Sequence, residues 1–169
     1  GRRMCCKVQC LAAAHFAPGD RVFVLDTDLL IQAPIFDALD GDDVVITSRH
    51  YPYWYPVNGG VWGFCYSDTA RQFLDFYVSQ LMSPTWLPFA RFQSRFGHAG
   101  NLDWWCDQDL LCAVFLAGLP FPCVVRDIGP LYNYCPSVEA GEPDSFLTAR
   151  SEIQSRLGDT EYRILHFKG

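Results

Sequence analysis

Arg21-Val22-Phe23-Val24-Leu25-Asp26-Thr27-Asp28-Leu29-Leu30-Ile31-Gln32 is the stretch on which the reading of the fold turns. It opens with a short apolar, β-branched run, the pattern of a fully buried strand over residues 22–25. The run stops at two carboxylates one residue apart, Asp26 and Asp28. Open α/β sheets bind ligands outside the carboxyl ends of their strands, so both acids stand where a ligand is held. Two acids at such an edge can share a hard divalent cation, which in turn neutralises a diphosphate. Asp also suits a solvated turn after a strand, and an isolated Asp-x-Asp supports that plainer reading equally well.

Composition narrows the alternatives. A chain of 169 residues is long enough for one domain, residues 1–169, with a sizeable core. With 50% hydrophobic and 15% aromatic residues it is neither disordered nor fibrous. The net charge of −6 argues against a nucleic-acid partner, because phosphate backbones demand a basic face. A phosphate-bearing substrate would then need a metal ion or a few well-placed Lys or Arg. No membrane segment is present, since no apolar run reaches the roughly 18 residues a span requires. The partly apolar N-terminal stretch is broken by Lys7, Gln9 and His15 and does not read as a signal peptide. The eight cysteines form no Cys-x-x-Cys, so a structural zinc site is not expected. Free buried thiols acting as small hydrophobes are the simpler reading, among them Cys65, Cys112 and Cys123; disulfides in a lumenal compartment are the alternative. Cytoplasm and Golgi or ER lumen are not distinguished.

Along the chain, an Ala-rich helix over 4–16 is stopped by Ala17-Pro18-Gly19-Asp20. After the strand at 22–25 come a short helical turn begun by Ala33-Pro34 and a strand at 44–47. Residues 48–57, rich in Tyr, Trp and Pro, read as a surface loop. A strand at 60–66 leads to a helix capped by Ser67 or Asp68 and running to Leu81, with Phe73, Leu74, Phe76, Tyr77 and Leu81 on its apolar face. Residues 83–101 read as irregular. A buried helix over 110–117 is opened by Asp107-Gln108-Asp109, acids at the favourable end of the dipole. A strand at 121–125, a helix from Asp144 or Ser145 to Leu157, and a strand at 163–167 complete the chain. Strands alternating with helices predict a layered α/β sheet. Neither a Gly-x-Gly-x-x-Gly nor a Walker-type Gly-Lys-Ser/Thr occurs.

Four stretches carry the functional signal: Val22-Phe23-Val24-Leu25-Asp26-Thr27-Asp28; Val57-Asn58-Gly59-Gly60-Val61-Trp62-Gly63-Phe64; Trp105-Cys106-Asp107-Gln108-Asp109-Leu110-Leu111; and Ile164-Leu165-His166-Phe167-Lys168-Gly169. In this order and at these separations the chain resembles the retaining nucleotide-sugar glycosyltransferases of the glycogenin and bacterial lipopolysaccharide galactosyltransferase type. The resemblance runs from about Lys7 to Gly169. It implies a GT-A-like, Rossmann-like α/β fold, a twisted, mixed and mostly parallel sheet flanked by helices. It implies transfer of a sugar from a nucleotide-diphosphate sugar, a UDP-hexose, to a carbohydrate or other hydroxyl acceptor.

The same resemblance assigns roles. Asp26, Asp28 and His166 would hold Mn²⁺, or Mg²⁺, and oxygen and imidazole ligands suit such an ion. Asn58, Gly59 and Gly60 match the family's Asn-x-Gly lining the sugar pocket, where Gly permits close backbone approach and the amide serves hydroxyls. Asp107 would contact donor sugar hydroxyls, and Gln108 would lie near the anomeric carbon, the two forming the catalytic pair. Asp109 would serve only the helix start. Lys7 matches a basic residue that reaches the donor near its diphosphate, although its spacing to Asp26 is a few residues longer here. Lys168 is not equated with the family's later Lys. The family also begins with a βαβ unit that binds the uridine, so the chain is expected to be a C-terminal catalytic portion, truncated at the N-terminus. The isolated segment is then expected to expose apolar sheet surface and to associate. The aromatics at 51–55 and 86–105 fall where the family builds acceptor-side walls, though ordinary packing explains them equally well.

Two rivals are weaker. Aspartate-nucleophile phosphatases also place Asp-x-Asp after a strand, but Leu29-Leu30-Ile31 lacks their small hydroxylated residue and Gly. A calcium loop fails because its fifth position, Leu30, offers no ligand and its sixth is not Gly. A non-catalytic fragment or pseudo-enzyme with residual metal or sugar binding remains the alternative function.

Overall fold

The computed structural model describes residues 2–41, 44–49, 55–96, 106–136 and 145–167, with the side chains of 2–6, 8 and 145–148 excepted. Its elements are α1 (Arg2–Ala13), β1 (Arg21–Leu25), β2 (Leu29–Ile31), β3 (Val44–Ser48), β4 (Val57–Cys65), α2 (Asp68–Met82), α3 (Leu87–Arg95), α4 (Cys106–Ala117), β5 (Val125–Asp127), α5 (Ser145–Ser155) and β6 (Ile164–His166). No helix among the described residues is long and apolar enough to cross a membrane.

The architecture is mixed α/β, a small mixed sheet flanked by helices. Four strands pair in the order β1-β4-β3-β5, and β2 pairs with β6 in a separate two-stranded ribbon. The sheet is not mostly parallel: β4 runs antiparallel to both β1 and β3, and the parallel pair is β3 with β5. Connection length accounts for this. Only residues 49–56 separate β3 from β4, too few for a crossover, whereas α2, α3 and α4 intervene before β5.

The main core lies between this sheet and α2 and α4. Ser67 caps α2 by accepting from the Ala70 amide, and Phe73, Leu74, Tyr77 and Leu81 face inward as the helical period requires. They meet Ile46, Trp62 and Phe64 of the sheet and Leu110 and Leu111 of α4. Alternation sends Val45 and Val61 to the opposite face, into smaller clusters with Leu39, Ile128, Ile35 and Ile164.

Several local expectations are corrected. Residues 87–95 form α3 rather than irregular chain, because Pro88 falls in the first turn, where its missing N–H matters least, and Phe89, Phe92 and Gln93 then share a buried face. The strand expected at 121–125 begins at Val125, while Phe121 packs on Phe76. β1 is not fully buried. It edges the four-stranded sheet, and only Val24 is fully enclosed. Tyr55, at the end of the presumed surface loop, is buried; residues 50–54 and 97–105 lie outside the described residues. Cys106 and Cys112 are buried, whereas Cys65 and Cys123 are half-exposed.

Most consequential is a register break in β4. Ile46 pairs with Trp62, but Ser48 pairs with Val57, so Thr47 alone faces residues 58–61. This wide bulge lies inside a strand, not in a turn before one, and it consists of Asn58-Gly59-Gly60 and Val61. Bulges of this kind re-aim side chains beside functional sites.

A second fixed point is Gln32, just after β2. Its amide nitrogen lies 3.0–3.1 Å from the carbonyls of Arg156, Asp159 and Tyr162, and its oxygen accepts from the Gly158 amide at 2.6 Å. One side chain therefore orders the turn that delivers β6. Gln32→Ala should lower stability by about 1–3 kcal/mol, the consequence of orphaning these backbone groups. Denaturant midpoints and amide exchange over 156–163 check this, with faster exchange confined to that turn and β6.

Candidate functional site

The chain assembles its site where it leaves the four-stranded sheet for the two-stranded ribbon. Asp26 follows β1, and its amide extends the ladder by donating to the Gly60 carbonyl at 2.9 Å. Thr27 and Asp28 make the turn, and β2 then pairs Leu29 with His166. The Asp28 carbonyl accepts from the Phe167 amide at 2.8 Å. Two carboxylates from one turn and an imidazole far later in the chain thus reach one point by ordinary strand pairing.

Ligand atoms of Asp26, Asp28 and His166 all lie within 4.8 Å of one another. His166 Nε2 is 3.2 Å from Asp28 Oδ1 and 3.9 Å from Asp26 Oδ2. Gly60 makes the arrangement sterically feasible: a Cβ there would stand 2.3 Å from His166 Cε1 and 2.9 Å from Asp26 Oδ2. Gly59 performs the same service for α4, since its Cβ would meet that of Gln108 at 3.1 Å. Two carboxylate oxygens and an imidazole nitrogen make a donor set that could hold a divalent metal ion, with Asp28 exposed on its outer side.

The expected donor-side residues gather beside this triad. Lys7, on α1, sits 2.6 Å from Asp26 Oδ1 and 3.5 Å from Asp107 Oδ2. The loop at 14–20 lies between Lys7 and Asp26 in the chain and lets them meet. Asp107 lies in the first turn of α4 and also accepts from the Gln108 amide at 2.7 Å. The Gln108 side-chain oxygen Oε1 accepts from the Gly59 amide at 3.2 Å, tying α4 to the bulge. Its amide nitrogen is buried without a hydrogen-bond partner among the described residues.

Asp109 departs from its expected role. It is fully buried and accepts from the Tyr55 hydroxyl, so it anchors the chain before β4 as well as opening α4. Of the aromatic walls, Trp86 packs on Phe76 and Phe96 on Tyr55 and Phe92, as ordinary core contacts. Two residues that the motifs did not flag also belong here. Asn133 and Thr47 are buried, with the Asn133 oxygen 2.9 Å from His166 Nδ1 and its amide nitrogen 2.8 Å from the Thr47 hydroxyl. A lone Asn and a lone Thr in chain regions without a motif carry no sequence signal.

Burial sets the electrostatics. Only 3% of Asp107 is exposed, and desolvation, offset in part by Lys7, pushes its carboxyl up to about 6. Burial acts to lower the Lys7 ammonium, but Asp107 and then Asp26 outweigh it and leave it raised.

No protein-family model matches the chain. No curated protein matches it either. The family resemblance rests on the four sequence motifs alone.

Two outcomes are expected. Mn²⁺ titration followed by water-proton relaxation should reveal a site that Asp28→Asn weakens by at least tenfold, about 1.4 kcal/mol; equal binding by both chains would remove Asp28 from the ligand set. The second concerns stability. Asp107 binds its proton more tightly folded, about 6, than unfolded, 3.8, so its contribution is full below pH 3.8 and lost as the pH rises through 6. Asp107→Asn should therefore melt higher than the parent at pH 7, by roughly 1–3 kcal/mol, with the gap closing toward pH 4. Melting curves across that range check the sign.

Proposed function

We propose that this chain is the catalytic portion of a retaining, metal-dependent glycosyltransferase that takes a hexose from a UDP-hexose to a carbohydrate or other hydroxyl acceptor. The observation that carries the reading is convergence. Residues singled out in four separate stretches, Asp26 and Asp28, Asn58 to Gly60, Asp107 and Gln108, and His166, meet around one point together with Lys7.

In this reading Asp26, Asp28 and His166 hold Mn²⁺. When bound, the ion would neutralise charge that develops on the departing diphosphate. Lys7 adds a second cation on the same side. Asp107 orients sugar hydroxyls through charge-assisted hydrogen bonds, and the Gln108 amide nitrogen donates to an oxygen near the anomeric carbon. The Asn58 amide and the bare backbone of Gly59 and Gly60 would form the floor on which the sugar lies. Gln108 is a poor base, so the proton of the acceptor hydroxyl passes to the leaving phosphate on the same face, which retains configuration.

A second reading has its own support. A carboxyl pushed up to about 6, as Asp107 is, falls within the range of a working general base, which would make the enzyme inverting.

The test is incubation with Mn²⁺ and UDP-hexoses, following release of UDP and then transfer to added glycosides. Asp107→Asn should keep its fold and lose activity by one to two decades, about 1.5–3 kcal/mol of charge-assisted bonding. Proton NMR of the first-formed product should show an α-linkage from the α-donor. A β-linkage would favour Asp107 as base and overturn the retaining assignment. UDP binding without release or transfer would favour the non-catalytic alternative.

A further inference from the structure

We propose that Asn133 and Thr47 are positioning residues that fix the tautomer and orientation of His166, so that its Nε2 presents a lone pair to a divalent cation shared with Asp26 and Asp28. This rests on the reading of His166 as a metal ligand.

The assignment follows from counting protons. Thr47 Oγ1 lies 3.1 Å from the Asn58 carbonyl and 2.9 Å from the Val61 carbonyl, both acceptors only. A hydroxyl has one proton, and it is committed to that pair. Toward Asn133, 2.8 Å away, Thr47 can only accept, so the nitrogen of the Asn133 amide faces Thr47. The oxygen of that amide therefore faces His166 Nδ1 at 2.9 Å. An acceptor at that distance requires a proton on Nδ1. The Asn58 amide nitrogen lies 3.4 Å from the same atom, longer than an ordinary hydrogen bond, and its oxygen is engaged by the Gly60 amide at 3.1 Å. With its proton on Nδ1, the ring turns Nε2 toward Asp28 and Asp26, where its lone pair meets a cation when one is bound and a proton can bridge to the Asp28 carboxylate when none is. Imidazole ligands are oriented in this way by a partner on the other ring nitrogen, and loss of such a partner weakens metal binding about tenfold to a hundredfold.

Burial makes the device rigid. Thr47 and His166 are fully enclosed and Asn133 is 3% exposed, so water does not compete for these bonds. Each member also comes from a different part of the chain: β3, the turn before the Tyr134–Leu165 bridge, and β6. The network therefore senses whether these parts are correctly docked.

The experiment is long-range proton–nitrogen NMR of the chain labelled with ¹⁵N-histidine, at a pH where imidazole is neutral, with His166→Gln identifying the signal. The parent should show a proton on Nδ1 of His166, and Mg²⁺ should leave that proton in place while Nε2 loses any it shares with Asp28. Asn133→Leu, similar in volume but without the acceptor, should shift the population toward the other tautomer and lose about tenfold to a hundredfold in Mn²⁺ affinity. Asn133→Asp keeps an acceptor for Nδ1 but loses the donor to Thr47, so it should retain the proton on Nδ1 and bind Mn²⁺ more tightly than the Leu variant. Thr47→Val should partly reproduce the Leu variant. A parent chain whose His166 Nδ1 carries no proton would overturn the proposal, and that measurement needs no variant to fold. Parental tautomer and affinity in a folded Asn133→Leu chain would overturn it too. If the parent binds no Mn²⁺ at all, the metal reading fails while the tautomer still decides whether Asn133 positions the ring.

Discussion

The Thr47 hydroxyl is the small interaction on which the rest of the site depends. Opposite it, β4 carries residues that cannot reach β3, and the carbonyls of Asn58 and Val61 would be buried without a donor. An orphaned buried carbonyl costs about 1–3 kcal/mol, so the bulge persists because one side chain serves both. Its consequences are geometric. The bulge turns Asn58 toward His166, and it lets Gly60 leave the space the imidazole fills. It also brings Gly59 against Gln108, which fixes where α4 begins relative to the sheet. A regular β4 would give a better sheet and no site.

Charge is distributed with the same disregard for stability. Three carboxylates, Asp26, Asp28 and Asp107, stand near one lysine and one histidine. Asp107 is the telling member, because its charged form is disfavoured by burial even with Lys7 beside it. A buried group whose ionisation opposes folding is kept for function more readily than for structure. Lys7 meanwhile holds the two acids at a fixed separation, so a ligand arriving there finds its charges already in place and does not have to reorganise them.

What the sequence made legible follows from how local the signals were. Ser67 capping α2, the inward face of that helix, and the acids at the start of α4 are short-range patterns, and they folded as read. Asp26 and Asp28 stood at a strand end because an apolar run beside two acids has few other meanings. The mostly parallel sheet did not follow, since direction depends on which strands pair, and pairing is not a local property. α3 was missed because Pro88 reads as a breaker unless its place in the first turn is known. β2 was missed because three residues, Leu29 to Ile31, become a strand only through β6. Asn133 and Thr47 were invisible for a deeper reason. Their roles exist only in the network joining β3 to β6, and nothing in their own neighbourhoods marks them.

Under the transferase reading, Lys7 also bears on the stereochemical course. Its ammonium touches a metal ligand, Asp26, at 2.6 Å and Asp107 at 3.5 Å. Asp107 is thus one cation away from the triad, on the side where the diphosphate would lie. A base for inversion must stand across the anomeric carbon from the leaving group, so that it meets the acceptor as the diphosphate departs. A carboxylate that shares a cation with the metal site cannot easily occupy that opposite position, whatever its proton affinity. Its two oxygens are also engaged, one by the Gln108 amide and the other by Lys7. The elevated proton affinity of Asp107 then reflects burial first of all, with Lys7 opposing it.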